Sequence, residues 1–590
     1  MRSKKNYFRY FNNLVSGKLP NYIFLNFFVG LLDGIGLTLF IPLIYLTTSS
    51  ENQATDNKSS FITHVFEQLN LPLNIYTILG LMVFMFALKG FFSYIRSVYY
   101  TKILQLSARN IRFSLINGLK TLTYEGFTKI DSGTIQNNMT TEANRLLQAS
   151  SLYMTIIQNI AMLLIYLFLA FIADWKFAIL VAAGGSLSNF IYKYLNKLTT
   201  TQARKLSSLG RNFQSYLIQC LTNFKYLKAT NYFEKYNERL KQEILDSEDT
   251  QYKIGKISAI SDNLREPLII IIISIVLVIQ LNFLKGEMDT MMAALLLFYR
   301  SLSHLANFQG LWNKFLTNVP ARESIDTILS EFKTTSEKNG SISNFKFSDI
   351  KINNLNFAYG EQYVLKDINI HIENKKSIAL IGESGAGKTT LANIICGLIQ
   401  TNNSNFIVGD YKLEDLDIQS YRNKVGYVTQ EPVVFDDTLF NNISFFLPKT
   451  KENLDKFWKA IEMASLKDFV AKFPEKEDVQ LGNNGILISG GQKQRISIAR
   501  ELYKDINLMI LDEATSALDS ETEKLIKDQI DSMHGKFTMV VIAHRLSTIK
   551  NVDVIYLMED GRIIDFGSYD ELYNKSLKFR NMVELQNVSS

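Results

Sequence analysis

Gly382-Glu383-Ser384-Gly385-Ala386-Gly387-Lys388-Thr389 puts three glycines, a lysine and a hydroxyl into one short run, and Thr390 follows. Glycines at this spacing let backbone N–H groups curl around phosphate oxygens. Lysine adds a point charge, and a threonine hydroxyl is a ligand for Mg²⁺. Further along come Ile488-Ser489-Gly490-Gly491-Gln492, then Asp512-Glu513, Ser516-Ala517-Leu518-Asp519 and an isolated His544. Two adjacent carboxylates offer one group for a metal and one to polarise an attacking water, which is general-base chemistry. The chemistry these residues point to is phosphoryl transfer to water.

Such groups need elements to deliver them. An apolar run from Ser377 to Ile381 reads as a strand, and Thr390 to Leu398 as a helix whose positive end faces the phosphates. Met509 to Leu511 read as a buried strand that ends at Asp512, and Met539 to Ala543 as a strand that ends at His544. Tyr427-Val428-Thr429-Gln430 and Phe357-Ala358-Tyr359 lie upstream. The pattern over 347–590 is that of an α/β P-loop nucleotide-binding domain.

Taken in order, these motifs resemble the nucleotide-binding domain of ABC transporters. The resemblance implies ATP and Mg²⁺ as cofactors. It makes Glu513 the catalytic carboxylate, His544 the contact to the γ-phosphate, and Gln430 a residue that touches Mg²⁺ and senses the membrane domain. Thr389, Gln430 and Asp512 are then the metal set. Tyr359 is expected to stack on adenine with Val364 beside it, and Gly382 to Thr390 to cradle the phosphates. Ser489, Gly490, Gly491 and Gln492 resemble the signature that caps ATP bound to the opposite protomer, which implies a homodimer with two composite sites. Two departures stand out: Ile488 replaces the usual Leu, and Asn483 replaces a Glu in the loop before the signature.

The 590 residues imply several domains. Hydrophobic residues make up 47% and charged ones only 20%, with a mean hydropathy of +0.02. A net charge of +6 without a Lys/Arg-dense tract argues against nucleic acid as a partner. The two cysteines, Cys220 and Cys396, imply no disulfide framework. A span across a ~30 Å hydrocarbon core takes ~20 apolar residues. Six candidates fit: 22–46, 75–98, 154–173, 177–197, 262–284 and 288–311. Long basic connections follow the second and fourth, so the positive-inside rule puts them, and both termini, in the cytosol.

Residues 1–19 read as an amphipathic helix on the inner leaflet, 20–317 as the six-span membrane domain with long cytosolic helical extensions, and 318–346 as a polar linker. The stretches Tyr124–Ile135 and Asn223–Lys228 resemble the coupling regions of ABC exporters. The whole therefore resembles an ABC exporter half-transporter: an α-helical transmembrane domain fused to the P-loop domain, in the bacterial inner (plasma) membrane. An outer stretch at 48–74, with an amphipathic segment Phe61–Leu69, is similar to the external helix of bacterial flippases for lipid-linked oligosaccharides.

Ionisable residues inside spans default to functional sites. Lys89, Arg265 and Arg300 lie in the second, fifth and sixth spans, with Asp33 and Glu266 as counter-charges. We expect these three cations to hold an anionic head group, since guanidinium suits phosphate. The expected partners are membrane lipids and, as cargo, a polyprenyl-pyrophosphate-linked oligosaccharide. A phospholipid or lipid A exporter and a drug or peptide exporter are the alternatives.

Overall fold

A computed structural model describes the chain except residues 1–5, 41–42, 44–71, 73, 174, 280–287, 402–404, 483–484, 514–519, 544 and 589–590. The described residues form two compact units, Met1–Leu122 with Gly126–Ser336, and Thr123–Glu125 with Glu337–Ser590.

The first unit is helical. In chain order it contains α1 (Tyr7–Leu14), α2 (Leu19–Thr38), α3 (Ile75–Lys120), α4 (Tyr124–Lys129) from Gly126 on, α5 (Ser132–Asn137), α6 (Ala143–Ala173), α7 (Trp175–Thr222), α8 (Phe224–Ala229), α9 (Phe233–Asn263), α10 (Arg265–Ile279) and α11 (Met288–Thr334). Among the described residues, three helical stretches are long and apolar enough to cross a membrane: Leu19–Thr38, Ile75–Lys120 and Ser132–Ile172. The first and fifth candidate spans run partly over residues outside the description, whereas the fourth lies within α7 and the sixth within α11. On α3 the apolar window is only 6% buried, and Val83, Phe84 and Phe91 stand exposed. An exposed apolar surface of that kind suits contact with lipid or with a further protein surface.

Three boundaries differ from the sequence reading. First, residues 1–19 are not one helix resting on the leaflet. The chain turns at Val15–Gly17, where Ser16 (φ 56°) and Gly17 (φ 78°) are left-handed. The apolar face of α1 also meets protein: Phe11 stacks on Tyr153 at 4.6 Å, and Tyr7 sets its edge against Phe315 at 5.3 Å. Amphipathic spacing cannot tell a membrane surface from a helix surface.

Second, 318–334 is not linker. It is the last stretch of α11, which runs through Pro320. Ala321, Ile325, Ile328 and Phe332 recur on one face and are buried, and that face outweighs the polar residues between them. Third, the fifth span is interrupted: α9 stops at Asn263 and α10 begins at Arg265. Pro267 has no N–H to give to the Asn263 carbonyl, so one helical bond is missing at this break.

The helical stretches beyond the apolar windows are pinned by side chains that composition does not reveal. Arg145 donates to Ser207 Oγ (2.5 Å), to the Thr317 carbonyl (2.7 Å) and to Glu142 (3.0 Å), tying α6 to α7 and α11. Gly133 on α5 lets two backbones meet, since a methyl there would sit 2.4 Å from Ser215 Cα on α7.

The second unit is α/β. A six-stranded sheet has the order β10-β9-β3-β8-β7-β6, with β3 (Ser377–Gly382), β6 (Val425–Val428), β7 (Leu508–Asp512), β8 (Thr538–Ile542) and β9 (Val554–Glu559) parallel. Strand β10 (Arg562–Gly567) closes one edge antiparallel. Every residue of β7 and β8 is buried, as expected for strands covered on both faces, which read as unbroken apolar runs. A separate antiparallel sheet of order β2-β1-β4-β5 holds β1 (Ile350–Tyr359), β2 (Gln362–Ile372), β4 (Asn405–Val408) and β5 (Tyr411–Lys412). Parallel strands collect their C-terminal ends along one edge of the sheet. The ends of β3, β6, β7 and β8 bring Gly382, Val428, Asp512 and Ile542 there, so that edge is where a ligand site forms.

Candidate nucleotide site

The phosphate loop leaves β3 and enters α12 (Lys388–Ile395). Gly382 (φ 147°), Gly385 (φ 87°) and Gly387 (φ 95°) all hold backbone that side chains resist. At Gly382 there is also no room, because a methyl would lie 2.2 Å from the Met558 carbonyl oxygen. Gly382→Ala is expected to push the loop off β9 and remove nucleotide binding. Equilibrium binding of a fluorescent ATP analogue checks this, and wild-type affinity in the variant would contradict the loop geometry.

Lys388 folds back over the loop, its Nζ donating to the carbonyls of Gly382 (2.9 Å) and Glu383 (2.8 Å). Burial draws its pKa below the ordinary lysine value, while the nearby charges of Glu513 and Asp512 pull it back up. A buried ammonium with two carboxylates close by is a cation waiting for anionic oxygens. Val364 lies against the same loop, its carbonyl oxygen 3.2 Å from where a methyl on Gly387 would stand. Tyr359 is 41% exposed, its ring edge-on to Phe357 at 4.9 Å, so one face is open for stacking.

Asp512 ends β7 and is buried. Tyr427, on β6, directs its hydroxyl to Asp512 Oδ2 (3.2 Å) and to Asn393 Oδ1 on α12 (3.3 Å). Burial, and then the Asp512 charge, raise the Tyr427 pKa. The phenol therefore stays a proton donor that fixes the carboxylate. Glu513 comes next with φ 47°, a left-handed conformation uncommon for glutamate. Its N–H donates to the Ile542 carbonyl (3.0 Å) and its Oε2 accepts from Gln430 Nε2 (2.5 Å). The structure thus joins Gln430 to Glu513 directly.

Such a cluster fits a Mg²⁺–nucleotide. Mg²⁺ is commonly held by one or two carboxylates together with substrate phosphates, and Asp512 and the Thr389 hydroxyl are of the right chemistry. Glu383, in the loop, is reached from the last helix, α14 (Leu577–Val588), where Lys578 Nζ lies 3.2 Å from Glu383 and 2.5 Å from Glu559.

Ser489 caps α13 (Gly490–Tyr503) in a reciprocal box: its hydroxyl accepts from the Gln492 N–H, and the Gln492 side chain accepts from the Ser489 N–H. The hydroxyl proton is left to donate outward. Gly490 has open space where a side chain would stand, and Ile486 and Leu487 just before the signature are 79% and 69% exposed. Arg500, near the end of α13, is a residue that sequence reasoning missed. It donates to the Asn442 carbonyl (2.7 Å), the Val433 carbonyl (2.9 Å) and Asn442 Oδ1 (3.2 Å), and so ties the signature helix to the segment after Gln430. Tyr427 was missed as well, though its place three residues before Gln430 was a signal. His544, Ser516–Asp519, Asn483 and most of the outer stretch 48–74 lie outside the described residues.

Lys89 Nζ pairs with Asp33 Oδ1 at 2.5 Å, so Asp33 is the counter-charge of Lys89 and not of Arg300. Arg300 is exposed, and the Arg265 side chain lies outside the description.

Two families match the chain: residues 19–302 match the ABC transporter transmembrane region, and residues 365–516 match the ABC transporter family. The chain is an ABC exporter with fused transmembrane and ATP-binding domains. The exporter hydrolyses ATP and couples it to transport, and it is a multi-pass membrane protein. It is 29% identical over 508 residues to an ATP-dependent lipid A-core flippase of Pseudomonas fluorescens (strain Pf0-1), covering 83% of this chain and 82% of that one. A lipid A-core flippase of Shigella flexneri is 28% identical, covering 84% and 85%. The heterocyst differentiation ATP-binding protein HepA of Nostoc sp. is 26% identical, covering 99% and 98%. In fold, the exporter is similar to a bacterial Atm1-family ABC exporter solved with ATP bound (TM-score 0.78, 20% identity, covering 98% of this chain and 99% of that one).

Proposed function

We propose that the exporter flips an anionic, phosphorylated glycolipid from the inner to the outer leaflet of the cell's inner membrane, acting as a homodimer with both termini in the cytosol. The observation that supports a lipid cargo is the similarity to lipid A-core flippases over more than four-fifths of both chains. A lipid A-core type of glycolipid is the first reading. A polyprenyl-pyrophosphate-linked oligosaccharide is the second, favoured by the exposed Arg300 in the membrane half, because a planar guanidinium pairs two-fold with phosphate.

In this reading Lys388 and the backbone of Gly382 to Thr390 hold the phosphates, Tyr359 and Val364 flank the base, and Thr389, Asp512 and Gln430 serve Mg²⁺. Glu513 takes the proton of the attacking water, and His544 steadies the terminal phosphate. Ser489 to Gln492 act on the nucleotide of the partner protomer. The exposed Ile486 and Leu487 and the open Gly490 are consistent with a signature helix that awaits a second surface.

The test is ATP-dependent translocation of a labelled lipid A-core glycolipid in proteoliposomes, with the Glu513→Gln chain as the blank. Translocation by the wild type alone is the expected result. A preparation that hydrolyses ATP yet moves neither this lipid nor a polyprenyl-pyrophosphate saccharide would overturn the cargo.

A further inference from the structure

The strongest unassigned cluster lies inside the helical unit, around one carboxylate. Asp33 on α2 uses both oxygens: Oδ1 pairs with Lys89 Nζ on α3 at 2.5 Å, and Oδ2 accepts from the Tyr166 hydroxyl on α6 at 2.6 Å. Tyr166 is fully buried and stacks on His304 of α11 at 5.4 Å, with ring planes 13° apart. His304 Nδ1 in turn meets Asn159 Oδ1 on α6 at 3.1 Å. Arg300 lies one helical turn before His304 on α11. Asp33 thus joins α2 to α3 and α6, and the Tyr166–His304 stack carries the network on to α11.

The pair is not sealed off. The Asp33 side chain is 14% exposed and that of Lys89 29% exposed. A structural ion pair placed only for packing has no need of access. A lone ammonium at this depth is costly, so an acid that neutralises it stabilises the empty state. The same acid also competes with any anion that approaches Lys89.

We propose that Asp33 is a resident counter-anion that the cargo has to displace from Lys89, so that it sets a charge threshold for entry. This rests on the lipid-cargo reading above and adds a selectivity device to it. A head group with one negative charge exchanges one carboxylate–ammonium contact for another and gains nothing. A head group with two or more charges replaces Asp33 at Lys89 and engages Arg300 as well. Bulk membrane phospholipids, which carry at most one net negative charge in the main, are then refused, although they surround the protein in great excess. Tyr166 holds the second carboxylate oxygen, so the displaced acid keeps a partner and does not need to leave the site.

The experiment uses the full-length chain in detergent and measures thermal stabilisation and ATPase stimulation by three lipids: phosphatidylethanolamine, phosphatidylglycerol and a bis-phosphorylated glucosamine glycolipid. Wild type should respond to the last alone. Asp33→Asn should respond to phosphatidylglycerol too, and its half-maximal concentration for the bis-phosphorylated lipid should fall about ten-fold. The double variant Asp33→Asn/Lys89→Gln should lose that gain, because the freed cation has gone. If Asp33→Asn keeps the wild-type preference, the threshold is overturned while the cargo reading stands. If the double variant regains wild-type behaviour from a crippled Asp33→Asn, the pair is structural and the proposal fails. A wild type silent to all three, with Asp33→Asn answering phosphatidylglycerol, would keep the threshold and overturn the cargo reading. Silence in both chains would overturn both.

Discussion

Glu513→Gln is expected to lower steady-state ATP hydrolysis by about three orders of magnitude, within the range that loss of a general base produces, while leaving ATP binding intact. Glutamine preserves the shape and keeps an acceptor for the Gln430 amide, which meets Glu513 at 2.5 Å. It also keeps the backbone bond to Ile542 and the left-handed φ of 47°. What it removes is the ability to accept a proton. Binding, and closure of the proposed dimer, should therefore persist without turnover. The check is a pair of measurements on one preparation: phosphate release, and the fraction of protein that elutes as a nucleotide-loaded dimer after incubation with ATP. Phosphate release at the wild-type rate would mean that Glu513 is not the base. Loss of nucleotide binding would mean that its role is structural.

Arg500→Ala is expected to lower the stability of the nucleotide-binding unit by about 3 kcal/mol, the scale set by losing hydrogen bonds to a charged group and leaving their buried partners unpaired. Arg500 is 5% exposed, donates to three oxygens, and lies with its guanidinium 5.3 Å from the ring centroids of both Phe435 and Phe445. At roughly 2–4 °C per kcal/mol for a unit of this size, its unfolding transition should fall by about 6–12 °C. Arg500→Lys should recover little, because one ammonium cannot span the Val433 and Asn442 carbonyls with a planar fork. The measurement is the melting curve of the detergent-solubilised exporter. An unchanged midpoint for Arg500→Ala would show that the network adds nothing to stability.

Local chemistry made much of this protein legible in its sequence. The phosphate loop needs glycines where backbone crowds against Met558, so Gly382 could be found without coordinates. Strands β7 and β8 are covered on both faces, and their unbroken apolar runs placed Asp512 and Glu513 at a strand end. Hydropathy marked the first three spans, since lipid asks only for length and apolarity.

What the sequence could not supply are the contacts that link distant residues. Nothing in the order of residues says that Tyr427 reaches Asp512, that Gln430 holds Glu513, or that Arg500 joins the signature helix to the segment after Gln430. Each depends on strands distant in sequence lying side by side. Likewise Asp33 and Lys89 stand 56 residues apart on different helices, and only their packing decides that this acid neutralises Lys89 and leaves Arg300 exposed. The stretch 318–334 follows the same rule: its polar residues suggested linker, and the buried face of Ala321, Ile325, Ile328 and Phe332 made it helix. Residue type fixes what a side chain is able to do, whereas the fold fixes which partner it meets, because pairing energies depend on distances that the chain sets only once it is packed.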